Sequence, residues 1–370
     1  MKALRRMILA ALGLTLIVVV FGAYVRLSDA GLGCPDWPGC YGHPTPAHAA
    51  SQIREAEALQ PGGPVSVPKA WKEMIHRYLA ASLGLLIIAL AIQSWRKRRE
   101  PGSAPMVATS LVGVVVFQGL LGKWTVTLLL KPAIVTGHLL GGLTTLGLLV
   151  WLALRVCQRE RHVVPAGLLA AARLGLLLLA VQIALGGWTS TNYAALACQD
   201  LPRCHGSWMP EADFANAFHV VRELGMDADG GLLSQQALTA IHWSHRAGAL
   251  VVGSYLLLLA VLLVRHRALR ALGAVLSLAL VAGSYLLLLA GLLARHRALR
   301  GHALMLALAL GLQLGLGVAN VLLSLPLPLA VAHNAGAALL LLVLVAINHT
   351  LVRDPALRPV RGSSNANAYA

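Results

Sequence analysis

The chain has 370 residues, 58% of them hydrophobic and only 12% charged, with a mean hydropathy of +0.72, which excludes an ordinary soluble domain. Its net charge of +16, from 30 Lys and Arg against 14 Asp and Glu, would suggest a nucleic-acid partner in a soluble protein. Here the bases fall in short clusters between long apolar runs, as topology signals do, and no groove-sized basic surface is left to bind a nucleic acid.

A helix needs about 20 apolar residues to cross the hydrocarbon. Windows of that length predict spans at 7–27, 76–95, 104–124, 133–154, 167–189, 240–264, 302–324 and 333–352. The opening MKALRRMILAALG resembles a signal peptide, but its apolar run continues to YVRLSDAGLGC without a small-residue cleavage site. It reads as a retained first span, with a signal anchor as the alternative.

Between the sixth and seventh spans, GSYLLLLAVLLVRHRALR (253–270) recurs almost unchanged as GSYLLLLAGLLARHRALR (283–300). The extra apolar stretch at 271–294 is long enough to span. A ninth crossing would move the C-terminal arginines to the wrong side, so this segment is expected not to cross simply.

The bases set the orientation. Lys2, Arg5 and Arg6, then Arg96–Arg99, Arg155–Arg161, Arg265–Arg270 and Arg353–Arg361 mark cytoplasmic segments. The opposite loops, 28–72 and 190–239, hold most of the acids, among them Asp29, Asp36, Glu55, Asp200 and Glu223. Both termini are therefore expected in the cytoplasm, with the cysteine-bearing loops outside a cytoplasmic (inner) membrane.

An older, diverged duplication runs through the chain. FQGLLGKWTVTLLLKPAIVTGHLLGGL (117–143) matches LQLGLGVANVLLSLPLPLAVAHNAGAALL (312–340), with Gln118 to His138 and Gln313 to His333 each 20 residues apart. EMIHRYLAASLGLL (73–86) matches AIHWSHRAGALVV (240–252), and CPDWPGC (34–40) matches CQDLPRC (198–204). The expected fold class is an all-α integral membrane protein. Its two pseudo-symmetric four-helix bundles occupy 1–157 and 165–352, followed by a cytoplasmic tail at 353–370.

Of the 14 histidines, nine lie in loops or near cytoplasmic helix ends, where a solvated side chain explains them. The other five, His76, His138, His242, His245 and His333, fall near the outer ends of spans. Ionisable groups at membrane depth are costly and usually face the bundle interior toward a partner. One imidazole on the second helix and one on the fourth helix of a half suit both axial positions of a haem iron. Zinc competes as a ligand, but normally takes more protein ligands than two.

Two such pairs predict two haem-sized sites. In the second half only one of His242 and His245 is needed opposite His333, and the matched His-Arg pairs favour His245. Arg77 and Arg246 are candidates for contacts with haem propionates or with lipid head groups.

Glu73 lies one helical turn from His76, where a carboxylate can stabilise positive charge, move a proton or simply cap the helix. The segment Thr239-Ala240-Ile241-His242 carries no matching acid. Chemistry is therefore expected in the first half and electron handling in the second. Cys34/Cys40 and Cys198/Cys204 are expected as disulfides in an oxidising compartment, structural or redox-active, with Cys157 a free thiol on the cytoplasmic side.

Taken together, EMIHR (73–77), GLGCPDWPGC (31–40), FQGLLGKWT (117–125), GHLLGGL (137–143), HWSHRAGAL (242–250), QLGLGVANVLL (313–323) and AHNAGAALL (332–340) resemble the haem A synthase family. The resemblance runs in order along nearly the whole chain, apart from the 30-residue duplication. It implies a membrane oxidoreductase that converts the C8 methyl group of haem O to a formyl group, producing haem A for terminal cytochrome oxidase.

It also implies that His76 and His138 belong to the substrate haem, that His245 (or His242) and His333 hold the iron of a haem b cofactor, and that Glu73 is catalytic. The partners implied are membrane lipid, haem O with the enzyme that supplies it, and an electron acceptor that the sequence does not identify; a homo-oligomer stays open. Two other readings compete: a di-haem cytochrome b type quinol or electron carrier, and a haem transporter or chaperone.

Overall fold

The structure, a computed structural model, describes residues 1–157, 160–265 and 297–353. In chain order its elements are α1 (Lys2–Leu27), α2 (Ala50–Leu59), α3 (Val67–Arg96), α4 (Pro105–Thr127), α5 (Pro132–Val156), β1 (His162–Val164), α6 (Ala166–Thr191), α7 (Phe214–Ala217), α8 (Gln235–Arg265), α9 (Arg297–Leu322), α10 (Leu327–Thr350) and β2 (Leu351–Arg353). Eight of these helices are long and apolar enough to cross a membrane, one for each predicted span. The chain is an all-α integral membrane protein. The apolar stretch 271–294 lies outside the described residues.

The helices start earlier than hydropathy alone suggests. α3 begins at Val67 rather than 76, because the Ser66 side chain accepts the backbone N–H of Lys69 and Pro68 occupies the first turn. α4, α5 and α10 likewise carry a proline in their first turn, where its missing N–H would have had no partner. The extensions are polar enough to stand above the hydrocarbon, so a hydropathy window misses them. As a result His76 sits between the second and third turns of α3, deeper in its helix than expected.

Two closed cycles of helix contact recur. α1 packs on α3, α3 on α4, α4 on α5 and α5 on α1; α6 packs on α8, α8 on α9, α9 on α10 and α10 on α6. α5 and α1 meet α10, and α5 meets α6, across the boundary between the cycles. Leu4, Ile8, Leu90, Leu111, Leu149 and Leu152 fill the first cycle. Leu256, Leu263, Leu306, Leu344 and Ile347 help to fill the second.

One end of the molecule gathers the amino terminus, bonded to Glu100, and a short parallel pair in which His162 sits opposite Leu351. The other end carries the two cysteine loops.

The duplication extends to backbone conformation. The α4–α5 turn places Leu129 and Leu130 at positive φ, and the α9–α10 turn does the same with Ser324 and Leu325. Non-glycine residues in that region cost roughly 1 kcal/mol each, yet both copies keep them. The reward is the same hydrogen bond, from Leu130 N to Thr125 O and from Leu325 N to Asn320 O, which closes each helix end.

In the cysteine loops, the Asp36 carboxylate accepts the N–H groups of Tyr41 and Gly42, and Asp200 accepts those of His205 and Gly206. The bonds from Gly206 and His205 hold the Asp200 carboxyl below the usual carboxylate range. A depressed carboxylate stabilises its loop above the unfolded pKa of about 3.9 and ceases to do so as pH falls through the lower folded value. Protection of the Gly206 and His205 amides, measured against the exchange rate of an unstructured peptide at the same pH, is therefore expected to be high at neutral pH and to be lost below about pH 4. In Asp200→Asn the same amides are expected to exchange fast at neutral pH.

Candidate functional site

Within the first cycle of helices lies a chamber of about 1230 Å³. His76 on α3 and His138 on α5 both line it, with Glu73, Arg77 and Arg26 toward its outer rim. Both rings carry a buried Nδ1 without a hydrogen-bond partner. An unmade hydrogen bond on a buried polar atom costs about 1–3 kcal/mol, so each ring retains capacity for a ligand.

Within the second cycle, His245 on α8 faces His333 on α10. Their ring centroids are 6.5 Å apart and the planes are nearly perpendicular at 87°. Two imidazoles bound to one metal at about 2 Å each, with ring centres roughly 1 Å behind the nitrogens, stand about 6 Å apart. The observed pair fits that arrangement.

Carboxamides from neighbouring helices steer both rings. Gln182 Nε2 lies 3.0 Å from His245 Nδ1, and Gln313 Nε2 lies 3.2 Å from His333 Nε2. His333 Nδ1 has no partner.

Each of the four rings rests against a glycine of an adjacent helix. A Cβ at Gly22 would stand 2.8 Å from His76 Cε1, and one at Gly186 would stand 2.9 Å from His245 Cε1. The corresponding distances are 3.5 Å from Gly122 to His138 and 3.2 Å from Gly317 to His333. Any side chain at Gly22 or Gly186 would push the imidazole out of its place.

The outer loops clamp what lies beneath them. The backbone N–H of Cys34 donates to Glu73 Oε2 at 3.0 Å, and that of Cys198 donates to His242 Nδ1 at 3.0 Å. Glu73 and His242, each 4% exposed, therefore hold the same place in the two halves. The counterpart of Glu73 is His242, and not Thr239 as the sequence comparison suggested. The structure brings His245 to His333, and His242 to the cysteine loop.

Arg77 Nη1 donates to the carbonyls of Asp36 (2.9 Å) and Gly39 (2.6 Å), while Nη2 pairs with Glu73. Arg246 donates to Pro202 O and Arg203 O. Both arginines thus hold loop carbonyls.

The sulfurs of Cys34 and Cys40, and of Cys198 and Cys204, are bonded, and Cys157 is free. Among the described residues, the group of three metal-type side chains that converges is Cys198, Cys204 and His205, and its two cysteines are already joined.

Sequence reading missed the glycines, Gln182, Arg26 and Asn334. Gln118 and Gln313 were visible as repeat positions, 20 residues before His138 and His333, but not as neighbours of those rings. Arg26 lines the chamber and donates from Nη2 to Ser190 O at 3.1 Å, crossing to the second cycle. Asn334 reaches the chamber wall from α10. Nothing in a single sequence marks a residue that acts from the far side of such a boundary.

These helices and buried imidazole pairs define a polytopic membrane protein with histidines gathered inside its helix bundle. Residues 5–287 and 277–345 match the cytochrome oxidase assembly proteins designated COX15-CtaA, and the chain belongs to that family. The two matched stretches overlap where the second copy of the 30-residue repeat begins.

Among curated relatives, Heme A synthase of Shewanella oneidensis is 44% identical over 270 residues, covering 71% of this chain and 79% of the relative. Heme A synthase of Sphingopyxis alaskensis is 30% identical, covering 72% and 77%. That of Shouchella clausii is 29% identical, covering 75% and 82%.

The glycine contacts give a direct test. Gly22→Ala and Gly186→Ala are each expected to reduce bound haem at least several-fold, read from the absorption spectrum of the purified protein. Gly13→Ala, whose Cβ meets nothing within 4 Å, is expected to leave the spectrum unchanged. Gly33→Ala is expected to act differently, because its Cβ would lie 2.6 Å from the Lys69 carbonyl carbon and would lift Cys34 from Glu73. It is expected to keep bound haem while slowing turnover about tenfold or more.

Proposed function

We propose that the protein oxidises the C8 methyl group of haem O to a formyl group and releases haem A, the activity named by its curated relatives. The observation that carries this reading is the chamber of the first cycle. It places two ligand-competent imidazoles, His76 and His138, beneath a buried carboxylate, Glu73, that is held by a backbone N–H and an arginine. The two helix cycles are read as the halves 1–157 and 165–352, the first for the substrate and the second for a resident cofactor. His245 and His333 would hold the iron of a haem b, which supplies one-electron transfer when bound.

In this arrangement His76 and His138 would hold the substrate porphyrin from both faces and fix its plane in the chamber, while groups at the ring edge set its rotation. Glu73 faces the chamber as a carboxylate whose two oxygens are already oriented by Cys34 N–H and Arg77. It can hold positive charge that develops on the reacting methyl carbon, or take a proton from it, without reorganising. Arg77 is a positioning residue, since it ties Glu73 to the carbonyls of the loop.

His242 stands where Glu73 stands in the first half. It offers an imidazole instead of a carboxylate, which supports keeping the oxidation in the first half. The protein would lie in the cytoplasmic membrane with both termini inside and the disulfide loops outside, following the placement of its basic clusters.

Pigment extraction from the purified protein tests the reading. Haems O and A recovered beside haem B are the expected result; haem B alone would point to an electron carrier. Glu73→Gln is expected to retain bound haem O and to lose at least about a hundredfold in haem A formation. His76→Ala and His138→Ala are expected to remove haem O and A selectively. His245→Ala and His333→Ala are expected to remove haem B.

A further inference from the structure

Haem O differs from haem B in one large respect: a long farnesyl-bearing side chain replaces a vinyl group. A site that accepts haem O must give that chain somewhere to go. Apolar side chains on the outside of a membrane helix say nothing about this, because every lipid-facing surface carries them. Shape and continuity are informative.

The chamber does not end at the histidines. It runs down between α3 and α4, where Ile88 and Val112 line both the chamber and a second recess of about 500 Å³. Two glycines line this seam: a Cβ at Gly84 would just touch Val115 Cγ1 at 3.5 Å, and at Gly119 it would meet nothing within 4 Å. From Leu85 to Trp95 the seam follows ten residues of α3, about 15 Å of helix. Trp95 closes its far end by donating from Nε1 to Thr109 Oγ1 at 2.9 Å, a bond that ties α3 to α4.

Arg96 and Arg98 border the far mouth of the recess, beside Trp95, and a second pair of arginines lies at the opposite end of the chamber. Arg26, whose Nε has no partner, and Arg77 lie at the outer rim of the chamber. The propionates of a haem lie roughly across the ring from its farnesyl-bearing edge. A porphyrin held between His76 and His138 with its propionates toward these arginines therefore turns its apolar edge toward the seam.

We propose that the α3–α4 seam, bordered by Gly84, Ile88, Val112 and Val115, receives the farnesyl chain and makes the chamber select haem O over haem B. The inference rests on the proposed function, which supplies haem O as the substrate. The open flank of the seam also gives the porphyrin a sideways route from the bilayer, with its chain still in lipid.

The test titrates haem O and haem B separately into the full-length protein with its cofactor in place, following the Soret band of the first-half site. The unsubstituted protein is expected to bind haem O at least tenfold more tightly than haem B. Ile88→Trp and Val112→Phe, which fill the seam, are expected to weaken haem O at least tenfold and to change haem B less than twofold. Ile88→Ala, which only widens the seam, is expected to keep both affinities within about threefold.

Equal losses for the two haems, no loss for either, or equal affinities in the unsubstituted protein would overturn the proposal and leave the seam to lipid acyl chains. An unchanged cofactor spectrum in each variant shows that it has folded. Failure of the proposed function is a separate outcome: the unsubstituted protein would make no haem A whatever the ratio of affinities.

Discussion

An imidazole surrounded by hydrocarbon must find something for its nitrogens, and the helices of this protein are spaced around that need. His76, His138, His245 and His333 do not sit where side chains happen to leave a gap. Each is pressed against a glycine on an adjacent helix, which brings two backbones together across the width of one ring. Small residues let membrane helices approach closely; here the closeness also fixes where the rings can be. The close-packed leucines toward the opposite end of each cycle hold the helices at that spacing, and the rings near the other end inherit it.

The two halves show how one backbone plan carries two sets of buried side chains. Loop, turn and helix end repeat down to positive-φ residues and the hydrogen bonds that cap them. The differences lie in a few side chains. Where the second half has Gln182, one turn before Gly186, the first has Val18, one turn before Gly22, and Val18 lines open space. Where the first half has Glu73, the second has His242, and both accept the N–H of the first cysteine in their loop. A carboxylate beside a roomy chamber and a carboxamide against a tightly held ring suit different tasks, and neither substitution disturbs the fold around it.

Much of this could be read from the residues alone. Eight apolar runs gave eight helices, because hydrocarbon thickness imposes a length that hydropathy measures directly. The histidine pairs followed from burial cost and from the matched spacing to Gln118 and Gln313. Helix starts were misjudged because Ser66 and Pro68 extend α3 with polar turns that hydropathy reads as loop. His242 and His245 offer two registers three residues apart: one sets Glu73 against Thr239, the matched His-Arg pairs set it against His242, and the bond from Cys198 selects the second. The glycine contacts, Arg26 and Asn334 were invisible, since each depends on which helices become neighbours.

Asn334 follows His333 directly in the chain, yet it forms part of the wall of the chamber that holds His76 and His138. One helix thus presents successive residues to both cycles. Nearby, Arg26 ties α1 to the end of α6, and Thr136 bonded to Thr191 ties α5 to α6. Any rotation of α10 would move His333 and Asn334 together, so the ring facing His245 and this part of the chamber wall are carried on one rigid element.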